Sequence, residues 1–204
     1  PERIAFVPDN QRDTILLYQG SLNMGRGIEL MIEAMPLLPG YQLWIAGGGD
    51  VEASLKAQVH RSGLQDRVKF LGKIAPARLP GYTCQARLGL SLEEDLGQNY
   101  RYASPNKVYD YIQSHTPVLV SDLPVMRGLV QKWGVGDILP AGARTPGGLA
   151  ARIRQLCENE TRYAGFQAAC RKAAAVLCWE NEQQKLLALY GLAPSNNDST
   201  SSLS

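Results

Sequence analysis

Short apolar runs alternate along the chain with segments whose apolar residues recur at helical spacing. Six of these runs are predicted to be strands: Thr14 to Tyr18, Gln42 to Ala46, Val68 to Leu71, Leu88 to Leu92, Pro117 to Ser121 and Asp137 to Leu139. Alternation of strands and helices is typical of a parallel sheet covered by helices on both faces. The pattern therefore predicts an α/β, Rossmann-like domain whose ligands bind beyond the carboxyl ends of the strands.

The connecting segments carry two kinds of helix signal. Apolar side chains at spacings of three and four give an apolar helix face between the first two strands: Ile28, Met31, Ile32, Met35 and Leu38. Capping residues mark the starts of further helices: Asp50, Ser104 followed by Pro105, and Thr145 followed by Pro146. A last helical pattern runs from Glu180 to Tyr190.

The chain is predicted to form one domain over residues 1–193, followed by a tail. Its 204 residues, of which 45% are hydrophobic and 20% charged, suffice for one packed core. Residues 194–204 are mostly Ser, Asn and Asp and cannot bury enough apolar surface to become ordered. The chain begins at Pro1 without a signal peptide, so we expect a fragment of a longer protein.

Charge and cysteine content exclude several classes of function. A net charge of +2 is too small to indicate a nucleic-acid partner or an anionic membrane surface. No run of eighteen apolar residues is present, so no membrane-spanning segment is predicted. Four cysteines lack a paired C-x-x-C spacing and are predicted to be reduced, buried thiols of a cytoplasmic protein: Cys84, Cys157, Cys170 and Cys178.

The sequence predicts neither a metal site nor a cofactor. His60 and His115 are the only histidines, and they lie far apart along the chain. We expect His60 at the surface and His115 at a helix end. Glu93, Glu94 and Asp95 do not form a D-x-D motif.

A glycine-rich loop follows the first predicted strand. Gly20, Gly25 and Gly27 let the backbone approach a ligand closely and direct amides toward it. Arg26 adds a fork of hydrogen-bond donors that suits a phosphate. The same glycines also suit a tight turn between strand and helix, with Arg26 in solvent.

A second candidate site lies at the helix that follows Ser104. Lys107 and Asp110 are three residues apart and therefore project from one side of its first turns. A cation and an acceptor in that position suit a phosphate and a sugar hydroxyl.

Together the two blocks resemble retaining glycosyltransferases of family 4, which have the GT-B fold. The stretch from Pro105 to Tyr111 is similar to the family's donor-binding helix, and the stretch from Tyr18 to Gly27 to its diphosphate loop. Trp179-Glu180 leading into Tyr190 is similar to the helix that closes the fold. The resemblance covers roughly residues 14–191. The chain departs from the family pattern at several positions: Asp110 stands where the family usually has Glu, Ser21 where it usually has Arg, Arg26 where it usually has Lys, and His115 where Gly is common.

The resemblance implies the C-terminal, donor-binding domain of a hexosyltransferase, with the acceptor held by a missing N-terminal domain. It implies a UDP- or GDP-hexose donor, retention of configuration, no metal, and catalytic roles for Arg26, Lys107 and Glu94. The implied donor-binding residues are Gly20, Asn23, Gly25, Arg26, Gly47, Lys73, Ile74, Leu79, Glu93, Glu94, Pro105, Asn106, Lys107 and Asp110.

Within this set the resemblance gives each group a role. Arg26 and Lys107 hold the diphosphate, Asp110 accepts from the ribose hydroxyls, and Glu93 or Glu94 orients the sugar. Lys73, Ile74 and Leu79 border the base. We expect such a domain, isolated from its partner, to be inactive. The whole protein is expected to be cytoplasmic, at the inner face of a membrane through the missing domain, and to serve glycan biosynthesis.

A second hypothesis keeps the fold without catalysis. Ser21, Asp110 and an acidic loop longer than the family's, from Glu94 to Tyr102, favour a non-catalytic module that binds a nucleotide or a partner protein.

Overall fold

Six parallel strands form the centre of the molecule. The structure is a computed structural model that describes residues 14–102 and 104–190. The strands are β1 (Ile15–Gln19), β2 (Gln42–Ala46), β3 (Val68–Gly72), β4 (Leu88–Ser91), β5 (Val118–Ser121) and β6 (Gly136–Leu139). All six predicted strands are confirmed to within one residue at their ends.

The strand order is β3-β2-β1-β4-β5-β6, and every neighbouring pair is parallel. The chain therefore winds outward from β1 in one direction and from β4 in the other. Ligands of such sheets bind at the crevice between the two halves, beyond the carboxyl ends of the strands. The predicted Rossmann-like sheet is confirmed.

Nine α-helices connect or cover the strands within the described residues. They are α1 (Ile28–Ala34), α2 (Glu52–Arg61), α3 (Leu79–Thr83), α4 (Gln98–Arg101), α5 (Asn106–Gln113), α6 (Pro124–Trp133), α7 (Pro146–Cys157), α8 (Glu160–Val176) and α9 (Trp179–Leu189). Short 3₁₀ turns lie at Met35–Leu37 and Ala141–Ala143.

The two faces of the sheet carry separate hydrophobic clusters. Successive residues of a strand point to opposite faces, so Leu16 of β1 packs in one cluster and Leu17 in the other. The first cluster includes residues of α1, α2 and α7, and the second includes residues of α5, α6 and α8. Helices on both faces are therefore confirmed.

The capping predictions had mixed outcomes. Thr145 caps α7, because its hydroxyl accepts from the amide of Gly148 at 3.1 Å. Asp50 does not cap α2, since Val51 occupies the cap position and no side chain caps it. Ser104 does not cap α5 either: Pro105 is the cap residue, and the Ser104 hydroxyl lies 3.0 Å from that of Tyr109.

Other expectations concern single residues and the chain ends. The four cysteines are free; Cys84, Cys157 and Cys170 are buried, whereas Cys178 is only partly so, which corrects its predicted burial. His60 is exposed, as predicted. No helix of the described ranges is long and apolar enough to cross a membrane. The predicted tail at 194–204 and the start at Pro1 lie outside the described residues.

Candidate functional site

The glycine-rich loop packs against the loop that follows β4. Gly27 precedes α1 with a φ of 71°, and a Cβ at this position would overlap the carbonyl oxygen of Leu92. The carbonyl oxygen of Gly25 accepts from the amide of Glu94 at 2.9 Å. The glycines are thus required by the close approach of these two loops, whether or not a ligand binds beside them.

A cleft of about 480 Å³ opens beyond the carboxyl ends of β1, β2 and β3. Its lining is formed by Gln19, Gly20, Ser21, Ala46, Gly47, Gly48, Lys73, Ile74 and Leu79. Five of these residues were predicted as donor-binding, and they come from three separate connections of the sheet. A Cβ on Gly47 would overlap the carbonyl oxygen of Gly20. Glycine at this position therefore allows the loops after β1 and β2 to lie in contact beside the cleft.

Gln19 connects the cleft to Asp110. Its Nε2 donates to Asp110 Oδ2 at 2.9 Å, and its Oε1 accepts from the Thr83 hydroxyl at 3.0 Å. Burial raises the pKa of the Asp110 carboxyl group, and the hydrogen bond from Gln19 partly opposes that rise. Sequence reasoning missed Gln19, although a polar residue at the end of an apolar strand is a signal that could have identified it.

Lys107 and Glu93 form an ion pair that is almost fully enclosed. Lys107 Nζ lies 2.7 Å from Glu93 Oε1, and the two side chains are 10% and 0% exposed. The ammonium group also lies 4.3 Å from the centre of the Tyr18 ring. Ser91 donates to the second oxygen of Glu93 at 2.8 Å. Desolvation lowers the pKa of Lys107 although Glu93 opposes the change.

This pair lies at the edge of the cleft. A Cβ on Gly20, which lines the cleft, would lie 3.4 Å from Lys107 Cε. The first turn of α5 therefore lies against the glycine-rich loop. Pro105 and Asn106 stand at that start, and Asn106 is exposed.

Arg26 lies outside the cleft lining, further along the glycine-rich loop. Its guanidinium carbon lies 5.3 Å from the centre of the Tyr100 ring, and its Nε is buried without a hydrogen-bond partner. Tyr100 belongs to α4, within the long acidic loop, and its hydroxyl donates to the carbonyl oxygen of Met24 at 3.4 Å. Asn23 lies on the same loop and packs against Gly49.

The two candidate glutamates after β4 differ in exposure. Glu93 is enclosed, and its carboxylate pairs with Lys107 and accepts from Ser91, whereas the Glu94 side chain is 41% exposed. Glu94 Oε1 lies 3.5 Å from Nη2 of Arg144, which belongs to the loop before α7. Sequence reasoning missed Arg144, because a single Arg before a helix cap carries no signal of a contact with a loop about 50 residues earlier.

Comparison with known proteins places this arrangement in a family. The family described as "Glycosyl transferases group 1" matches residues 2–175. A phosphatidyl-myo-inositol mannosyltransferase of Mycobacterium leprae is 25% identical over 175 residues, which cover 81% of this chain and 42% of that protein.

Solved structures agree on the fold. A sucrose-phosphate synthase from Thermosynechococcus elongatus superimposes with a TM-score of 0.76 at 23% identity, covering 91% of this chain and 46% of that one. The Anabaena protein HepE, in complex with UDP and glucose, gives a TM-score of 0.72 at 19% identity, covering 89% and 49%. The GT-B type predicted for the sheet is thereby confirmed, and the chain spans about half the length of these proteins.

The family match covers most of the chain and agrees with the parallel sheet and its cleft. The chain belongs to the group 1 glycosyl transferases.

Proposed function

We propose that this chain is the donor-binding half of a retaining, family 4-like hexosyltransferase that uses UDP- or GDP-hexose without a metal. The observation that carries the proposal is the 480 Å³ cleft bordered by the Lys107–Glu93 pair and by Asp110. A cation, an acceptor carboxylate and apolar walls beside one cleft are what a diphosphate, a ribose and a base require. That HepE binds UDP and glucose on the same fold supports this choice of ligand.

The roles follow the geometry of the cleft. Lys73, Ile74 and Leu79 border the nucleobase, Asp110 accepts from the ribose hydroxyls, and Gly20 and Gly47 allow the backbone to approach the ligand. Lys107 and Arg26 hold the diphosphate, with Asn23, Gly25, Pro105 and Asn106 surrounding it.

In the reaction the bond between the sugar C1 and the diphosphate oxygen breaks, and the acceptor hydroxyl bonds to C1 on the same face. The acceptor's proton passes to the departing diphosphate oxygen. Lys107 and Arg26 stabilise the negative charge that develops there. Glu94, whose carboxylate is accessible, orients the sugar, while Glu93 holds Lys107 in position.

The acceptor belongs to a second domain in this proposal. Relatives of about twice this length support an N-terminal domain that faces the same cleft, and the whole protein is proposed to work in glycan biosynthesis in the cytoplasm, at the inner face of a membrane.

Titration of UDP, GDP and ADP into the chain, with thermal unfolding as the readout, tests the proposal. A ligand that binds only the native state at one hundred times its Kd adds about 2.7 kcal/mol of stability, which raises Tm by roughly 5–10 °C in a domain of this size. One of the three nucleoside diphosphates is expected to produce this shift in Tm, and inorganic diphosphate is expected to produce a smaller shift. No shift with any nucleotide at millimolar concentration contradicts the proposal.

A non-catalytic nucleotide-binding or partner-binding module is the second candidate. Lys107 already pairs with Glu93, and Arg26 packs on Tyr100. These contacts leave fewer free hydrogen-bond donors for a diphosphate and therefore favour the non-catalytic module. Release of nucleoside diphosphate from the sugar nucleotide by the full-length protein discriminates the two, because a module binds the donor without consuming it.

A further inference from the structure

Arg144 connects its own loop to two other segments at the carboxyl edge of the sheet. Its Nη2 donates to the carbonyl oxygen of Leu92 at 2.8 Å, and its Nη1 donates to the Ser121 hydroxyl at 3.0 Å. Longer contacts join Nη1 to the carbonyl oxygen of Glu93 at 3.4 Å and Nη2 to the Glu94 carboxylate at 3.5 Å. The Arg144 side chain is 25% exposed. One guanidinium thus contacts the ends of β4 and β5 and the acidic loop.

The shape of the guanidinium matters for this connection. Its planar fork presents donors in fixed directions, so several acceptors on different segments are held at fixed positions relative to one another. Leu92, whose carbonyl Arg144 binds, is also the residue that packs against Gly27 at the start of α1. Arg144 Nη2 itself would lie 3.0 Å from a Cβ on Gly27. The position of Arg144 is therefore coupled to the glycine-rich loop as well.

Charge adds a second reason for the contact. Glu93 and the first two residues of the acidic loop, Glu94 and Asp95, are three successive carboxylates; Glu93 pairs with Lys107, and Asp95 lies 3.3 Å from Arg101. Arg144 is the cation beside the remaining one, Glu94. A bound diphosphate brings further negative charge to this edge of the sheet. Without Arg144, repulsion would favour rotation of the Glu94 side chain toward solvent.

We propose that Arg144 is a positioning residue for the donor sugar: it fixes the acidic loop so that the Glu94 carboxylate faces the sugar hydroxyls. This inference rests on the proposed function and adds to it a residue that determines sugar recognition. Arg144 acts through Glu94 and not on the ligand, because both of its terminal nitrogens already donate to protein acceptors. Its effect should therefore fall on the sugar and spare the nucleotide.

The test compares a nucleoside diphosphate with its hexose derivative, using UDP and UDP-glucose or GDP and GDP-mannose, by calorimetry on the whole chain. Arg144→Gln is expected to weaken binding of the sugar nucleotide about tenfold and to change the affinity for the nucleoside diphosphate less than about twofold. Arg144→Lys keeps the charge without the planar fork of donors. It is expected to show most of the same loss of affinity for the sugar nucleotide. Arg152→Gln is the control, because Arg152 lies on α7 and pairs with Asp137 at 3.1 Å.

A double-mutant cycle with Glu94→Gln identifies the route of the effect. If Arg144 acts through Glu94, Arg144→Gln should change sugar-nucleotide affinity less than about twofold in the Glu94→Gln background. An equal loss for both ligands, no loss for either, or a full loss in that background overturns the assignment. Arg144→Lys serves the same cycle if Arg144→Gln does not fold.

Different binding results would contradict the proposed function and the role of Arg144. If the wild-type chain binds neither the diphosphate nor the sugar nucleotide, the proposed function and the role of Arg144 are both wrong. If the wild-type chain binds both and Arg144→Gln keeps their ratio, only the role of Arg144 is wrong.

Discussion

Lys107 is held beside the cleft by Glu93, a partner that the proposed diphosphate would share. Its ion pair with Glu93 is enclosed, so neither charge is well solvated when the other is removed. A buried pair can contribute little net stability, yet loss of one partner is costly because the remaining charge stays buried. The same pair therefore fixes the position of Lys107 beside the cleft and makes it sensitive to substitution.

Lys107→Met is expected to destabilise the chain by about 3 kcal/mol, and the double substitution with Glu93→Gln by clearly less. Urea unfolding measures both. Lys56→Met is the matched control, because Lys56 pairs with Glu52 at the same 2.7 Å while the side chains are 54% and 32% exposed. That variant should cost less than about 1 kcal/mol. Equal costs for Lys56 and Lys107 would contradict the importance of burial.

Arg26→Ala is expected to weaken nucleoside diphosphate binding about tenfold, because a hydrogen bond to a charged group is worth roughly 1.5–3 kcal/mol. Calorimetry measures the affinity, and circular dichroism checks that the fold is intact. Arg61→Ala is the control for loss of a positive charge, because Arg61 is exposed at the end of α2. Unchanged affinity in a folded Arg26→Ala protein would mean that the guanidinium serves only to pack on Tyr100.

Asp110→Asn is expected to reduce affinity for the nucleotide more than for inorganic diphosphate, because the proposed partner is a ribose hydroxyl and an amide oxygen accepts less strongly than a carboxylate. Asp110→Glu should bind as well as wild type if the longer side chain reaches the same hydroxyls. A 2′-deoxynucleotide gives the comparison that isolates the ribose. If neither substitution changes nucleotide affinity, Asp110 is a structural partner of Gln19.

At the scale of the elements, local signals predicted the strands and some helix starts. Apolar runs such as Gln42 to Ala46 needed no knowledge of their neighbours, and Thr145 caps α7 through an amide three residues ahead. Ser104 failed as a cap because Pro105 is extended, with φ −65° and ψ 125°, so the helix begins one residue later than predicted. A capping hydroxyl depends on the conformation of the next residue, which residue type alone does not determine.

His115 ends α5 in a conformation that favours glycine. Its φ is 55°, and its amide and that of Thr116 close the helix by donating to Ile112 at 3.0 Å and Tyr111 at 2.9 Å. The left-handed region costs a residue with a Cβ about 1–2 kcal/mol, part of which is offset by the greater freedom of unfolded glycine.

His115→Gly is therefore expected to be more stable than His115→Ala by about 0.5–1 kcal/mol, because both variants lose the imidazole with its contacts and only alanine keeps the strain of the left-handed region. Thermal unfolding measures the difference, which corresponds to roughly 1–4 °C in Tm. The same pair of variants at His60 is the matched control, because His60 is exposed within α2, where glycine should be less stable than alanine by up to about 1 kcal/mol. A less stable glycine variant at both positions would contradict the conformational argument at His115.

At the scale of the whole molecule, the order of the strands explains which parts of the site were predictable. A parallel sheet gathers the residues after each strand at one edge, and Gly20, Gly47 and Lys73, which the family resemblance assigned to the donor site, all line the cleft there. Gln19 and Arg144 were missed because their contacts join residues far apart in the chain. The residues next to them in the sequence do not indicate which distant partner each one binds. Distant polar contacts depend on packing of the completed fold.

The final prediction concerns the chain as a unit. These 204 residues are expected to bind a nucleoside diphosphate and its sugar derivative without transferring the sugar, because relatives that contain this fold are about twice as long. A hydroxyl acceptor has to be oriented against C1 for transfer, and positioning supplies a large part of the barrier reduction in such reactions. Calorimetry measures the binding, and release of nucleoside diphosphate from the sugar nucleotide measures turnover, with the full-length protein as the positive control. Asp110→Asn distinguishes binding in the cleft from binding elsewhere. Sustained glycosyl transfer by this chain alone would show that its cleft already contains the acceptor site, and the division into two domains would then be wrong.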